Sequence, residues 1–132
     1  MVIWFILQGI LTISLFMTYI ANSGYSGGEV GMAPSAVILA VFIQFLPSVI
    51  VFYILKRYLT GQRRVLFLII NMFLYELAYL FFTDRIPILH FSEKGLLGFL
   101  NRGYSLSSIL SGIIIMVAFL IVSLRKSKIS KL

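Results

Sequence analysis

The stretch LYELAYLFF, residues 74–82, is apolar except for one carboxylate, Glu76. Such a group can do three kinds of chemistry in an apolar setting. It can be protonated and hydrogen-bonded, because desolvation disfavours its charge. It can meet water or a cation in a pathway. Or it can pair with a group on another subunit. No Lys or Arg lies in the apolar runs to neutralise it. A charge near a bilayer centre costs about 2.5–3.5 kcal/mol, so an acid placed there asks for a use.

Few other residues offer chemistry. Gln44, Pro47 and Ser48 sit together in a second apolar run, and Gln8 and Asn71 are lone amides in two others. A mid-helix proline removes a donor and frees the carbonyl four residues back, here that of Ile43, and it kinks the helix. Gln44, Pro47, Ser48 and Glu76 are therefore the best candidates for an internal polar cavity or pathway, with Tyr75, Tyr79, Asn71 and Gln8 around them. His90 is the sole histidine and cysteine is absent. No metal-ligand spacing, nucleophile elbow or phosphate loop occurs, and Asp84 and Glu93 are too isolated to argue an acid/base pair. No catalytic site, metal or cofactor is expected.

The elements that must hold these residues follow from composition. The chain has 132 residues, 61% hydrophobic and 11% charged. Soluble domains run about 45–50% apolar and about 25% charged. The mean hydropathy of +1.06 points to an integral membrane protein. About 20 apolar residues cross the hydrocarbon layer as a helix. Four segments qualify: about 2–21, 35–55, 65–83 and 104–124. The expected fold is all-α, a single domain over 1–132 formed as a four-helix transmembrane bundle. No basic residue precedes the first apolar run, which is longer than a signal-peptide core, so it is expected as a retained span.

Charge sets the expected topology. Lys56, Arg57, Arg63 and Arg64 follow the second span, and Arg125, Lys126, Lys128 and Lys131 follow the fourth. The connection 22–33 has no Lys or Arg, and 84–103 has three, balanced by Asp84 and Glu93. By the positive-inside rule both termini are cytoplasmic, and the expected location is a bacterial cytoplasmic membrane. The net charge of +7 is thus read as topology and attraction to anionic headgroups, not as nucleic-acid binding.

Depth and angle refine the polar residues. At 1.5 Å per residue, Glu76 and Gln44 both lie within about 3 Å of mid-span, toward the outside. Gln8 and Asn71 both lie about 4–6 Å toward the cytoplasm. Two depth-matched pairs are expected, Gln44 with Glu76 and Gln8 with Asn71. Gln8 with Thr12, Gln44 with Ser48, and Asn71 with Tyr75, Glu76 and Tyr79 form polar stripes that should face into a bundle.

The flanking segments complete the reading. Ser107 with Ser111, and Ser108 with Gly112, are small residues four apart, a spacing that lets helices approach closely. They are expected at an interface, with a helix of this chain or of another subunit. Ser92 is expected to cap a short interfacial helix over about 92–102. Pro34 suits the first turn of the second span. Tyr19, Tyr25, Tyr53, Tyr58 and Tyr104 are expected as boundary anchors.

Four spans in a chain of this length superficially resemble the small multidrug resistance transporters. Their essential acid lies in the first span; here that span has Gln8 and the acid is in the third, so no residue role carries over. The leading expectation is a non-enzymatic subunit of a membrane complex or homo-oligomer, whose partners are the lipid bilayer and other membrane subunits or copies of itself. The alternatives are an ion-coupled transporter or channel using Glu76, and a holin-like or immune-type membrane effector.

Overall fold

A computed structural model describes every residue except Ser26; the side chain of Glu29 also lies outside the described residues. The described chain is helical throughout, without strands. Helix α1 is Val2–Ala21, α2 is Gly28–Leu55, α3 is Val65–Thr83 and α4 is Gly95–Ser130. Short 3₁₀ turns at Gly61–Arg64 and Pro87–His90 precede α3 and α4. All four helices are long and apolar enough to cross a membrane.

Each helix packs on its neighbours in sequence, α4 closes back on α1, and the diagonal pairs barely touch. The ring places Met1, the 60–64 turn and Lys126 around one cleft, so both termini and the basic connection share one end.

The core is layered. One apolar cluster, with Phe5, Phe67, Leu68, Ile115 and Phe119, lies toward the terminal end. The other, with Phe16, Val37, Tyr79, Leu100 and Tyr104, lies toward the far end. Between them every helix turns polar residues inward: Gln8 and Thr12, Gln44 and Ser48, Asn71, then Ser108 and Ser111, all buried. The outside is apolar, with Phe42, Leu46, Phe73 and Phe81 each more than 60% exposed. Polar inside and apolar outside is how a bundle solvated by lipid satisfies its hydrogen-bonding groups.

Several expectations change. Helix α2 begins seven residues before the expected span, because Val30, Ala33, Val37 and Ala40 recur at helical spacing and are all buried. Pro34 therefore lies inside the helix, as does Pro47, and α2 continues through both. The separate interfacial helix over 92–102 does not form. Residues 95–130 are one helix, which at 1.5 Å per residue is about 54 Å long. Its first turns are held against α1: Leu100 and Tyr104 enter the core, and Tyr19 Oη donates to the Phe99 carbonyl at 2.8 Å. Lys94, not Ser92, stands at its N-cap, without a side-chain capping bond. Tyr104 is 4% exposed and stacks between Phe16 and Tyr79 at centroid distances of 5.1 and 4.8 Å. It is a core residue, not a boundary anchor, because the long α4 brings it below the end of the bundle.

Candidate functional site: the buried polar layer

The layer is built from residues one helical turn apart. Ser48 lies four residues after Gln44, and its Oγ reaches back to the Gln44 carbonyl at 2.9 Å and to Gln44 Oε1 at 2.7 Å. Ser48 Oγ also donates to Asn71 Oδ1 on α3. Asn71 Nδ2 donates to Gln8 Oε1 on α1 at 2.7 Å. Three helices are thereby joined through side chains that are at most 2% exposed.

A donor count constrains the chain of bonds. A serine hydroxyl has one proton and two acceptor lone pairs. Ser48 Oγ faces both Gln44 Oε1 and Asn71 Oδ1 but has one proton, so one of these two amides must be turned to donate to it. An amide can be turned to exchange its oxygen and nitrogen, and Gln44 Nε2 and Gln8 Nε2 both lack a partner among the described residues as they stand. Turning Gln44 gives the order Gln44 to Ser48 to Asn71 to Gln8, and turning Asn71 and Gln8 gives the reverse; in either order each group donates to the next. Gln8 Nε2 is unpaired among the described residues only in the first order.

The fourth helix joins through hydroxyls. Thr12 Oγ1 and Ser111 Oγ lie 2.5 Å apart, and Thr12 also reaches the Gln8 carbonyl at 2.8 Å. Gly112 allows this approach. A methyl group there would stand 2.5 Å from Met72 Cγ and Sδ and 3.2 Å from Gln8 Nε2. Ser107 and Ser108 bond the carbonyls one turn back, Gly103 with Tyr104 and Tyr104 with Ser105. The four small residues of α4 are buried, so this face meets helices of the same chain.

Glu76 is placed apart from Gln44. It lies 100° round the helix from Tyr75, which faces the core. Glu76 Oε2 accepts the Ile88 backbone N–H at 3.1 Å, from the turn that folds back over α3. Its Oε1 and Ser105 Oγ of α4 lie close to each other, an acceptor facing a donor, and neither has another hydrogen-bond partner among the described residues. Ile69, Met72, Phe73, Ile88, Ile109 and Met116 form an apolar crevice of about 290 Å³ beside it. Of the depth-matched pairs, Gln8 and Asn71 meet, and Gln44 and Glu76 do not. Tyr75 and Tyr79 are fully buried in the core, the Tyr75 hydroxyl beside Thr12 and Gln44 and that of Tyr79 beside Ser107. Pro47 is half-buried beside the layer.

Charge gathers at the two ends. At the far end Glu93 joins Arg85 Nη1 at 2.9 Å and His90 Nδ1 at 2.6 Å. Arg102 Nη1 donates to the Glu93 carbonyl at 2.8 Å. These contacts close the 84–94 connection over α4, an arrangement sequence spacing did not reveal, because the partners come from different elements. At the terminal end, Lys56 Nζ lies 4.6 Å from the Tyr53 ring centre. Arg57, Arg125, Lys128 and Lys131 are exposed, and Arg63, Arg64 and Lys126 line a shared cleft. Among the described residues no group of three His, Asp or Glu is arranged to hold a metal.

The arrangement can bind helices to one another, since Gln8, Thr12, Ser48, Asn71 and Ser111 bond across helices. No family model matches this chain, and neither a curated protein nor a solved structure matches it.

Proposed function

We propose that this chain is a non-enzymatic membrane subunit that acts through its surfaces, in a homo-oligomer or a complex with other membrane proteins. The observation that carries the reading is the closed layer at mid-bundle. Gln8, Gln44, Ser48 and Asn71 are at most 2% exposed and bonded across three helices. A packed interior of this kind leaves no polar route through one copy, since groups that line a path must face water or substrate. What remains for contact is the apolar outside and the two charged ends. Native mass spectrometry from mild detergent should find a defined multimer or a co-purifying membrane protein. A bare monomer would sink the reading.

The end bearing the termini is assigned to the cytoplasm, where the positive-inside rule puts eight of the eleven Lys and Arg residues. The chain has no native cysteine, so introduced ones report cleanly. An impermeant thiol reagent added to intact cells should label Gly24→Cys and spare Ser127→Cys. The reverse pattern inverts the topology.

One observation favours a second reading, an ion-coupled transporter. Glu76 is buried at the edge of a membrane-facing crevice, its Oε1 meeting only Ser105 Oγ among the described residues. In that case Glu76 would bind and release a cation or proton.

A further inference from the structure

The terminal end carries a cleft of about 730 Å³ between the start of α1, the 60–64 turn and α4. Its cationic lining is Arg63, Arg64 and Lys126. All three are exposed, and none is ion-paired among the described residues, where the two salt bridges both belong to Glu93 at the opposite end. Of the chain's four acids, those at 76, 84 and 93 do not line the cleft, and position 29 lies at the start of α2, whose other end leads to the 60–64 turn. Three cations thus converge without a counter-charge among the described residues.

The cleft is not polar throughout. Trp4 meets Phe119 edge to face, with centroids 5.5 Å apart and planes at 87°. Val122, 39% exposed, extends this apolar wall along α4 from Phe119 toward Lys126. Thr60, Gln62, Ser123 and Ser127 add hydroxyl and amide groups near the cations. Tryptophan prefers the depth of the headgroups, where one side is apolar and the other wet. Arginine forks match phosphate oxygens, and lysine adds a point charge.

We infer that this cleft is a binding site for one anionic phospholipid, with its phosphate on Arg63, Arg64 and Lys126 and a chain along Trp4, Phe119 and Val122. The cations alone would take any phosphate compound. The apolar wall beside them selects a phosphate that carries hydrocarbon. The site goes beyond the subunit role, and lipid binding is read separately from protein multimers in the same spectra.

The test is native mass spectrometry of the full chain in detergent, titrated with phosphatidylglycerol, with phosphatidylcholine, and with inorganic phosphate as competitor. The expected result is one retained phosphatidylglycerol per chain and at least tenfold weaker retention of phosphatidylcholine. Combining Arg63→Gln, Arg64→Gln and Lys126→Gln should weaken phosphatidylglycerol retention at least tenfold. Combining Arg125→Gln, Lys128→Gln and Lys131→Gln, which removes equal charge outside the cleft, should change it less than threefold. Arg64→Lys keeps the charge without the fork, and should lose a few-fold. Trp4→Ala should weaken phosphatidylglycerol retention without a change in net charge. Equal loss in both triple variants would reduce the site to general charge attraction and overturn it. Displacement by inorganic phosphate at micromolar concentration would reassign the cleft to a soluble phosphate compound. Helical circular dichroism of each variant separates lost binding from lost folding, and the exposed single variants stand in if a triple does not fold.

Discussion

Glu76 Oε2 accepts the backbone N–H of Ile88 at 3.1 Å, which ties the middle of α3 to the turn that follows it. The acid acts as a strap for the far-end connection. Glu76→Gln keeps an acceptor oxygen and should change stability by under about 1 kcal/mol, whereas Glu76→Ala loses a hydrogen bond of about 0.5–1.5 kcal/mol. Hydrogen exchange at Ile88 should quicken several-fold in Glu76→Ala and little in Glu76→Gln. Liposome flux is expected to be absent in the wild type; flux that Glu76→Gln abolishes would move the assignment to the transporter reading.

Gln8 and Asn71 are the bond between α1 and α3 in the polar layer. A double-mutant cycle with Gln8→Leu and Asn71→Leu should give a coupling of about 0.6 kcal/mol, the average for hydrogen bonds between membrane helices, and no more than about 1.7 kcal/mol. Reversible unfolding in mixed micelles measures it. Strict additivity of the two substitutions would mean the bond contributes nothing.

Gly112 lies under Met72 and Gln8. Gly112→Ala meets a flexible methionine end that can shift, and should cost about 1 kcal/mol. Gly112→Leu overpacks the contact and should cost about 1–3 kcal/mol or more. Both losses should appear in the unfolding of the single chain, because the glycine faces the chain's own helices. A Gly112→Leu protein of normal stability but altered oligomeric state would place this face between subunits.

The far-end cluster shows how exposure limits what charge contributes. The Arg85 and Glu93 side chains are 42% and 38% exposed. Pairs at that exposure contribute about 0–1 kcal/mol, less than the buried layer, so the connection is held as much by Glu76, Arg102 and the burial of Pro87 as by its ion pair.

Composition alone determined the membrane class and the four spans, because an apolar run of about 20 residues has few other places to go. The polar stripes were also legible, since Gln8 with Thr12 and Gln44 with Ser48 follow directly from the helical repeat. Depth matching, at 1.5 Å per residue, pointed to Gln8 with Asn71. It pointed equally to Gln44 with Glu76, and there only tertiary structure decided. Depth along a helix is a local quantity. Rotation about its axis is set by packing against the other three, and it turns Asn71 toward Gln8 and Ser48 while Glu76 faces α4 and the returning turn. The same holds for α4: its small residues announced a close contact, and only the closed ring of helices identified α1 and α3 as the neighbours. The continuity of α4 through residue 95 was hidden for a related reason. Gly95 and Gly98 weaken a helix considered by itself, and the contacts of Phe99, Leu100 and Tyr104 with the rest of the bundle outweigh that weakness.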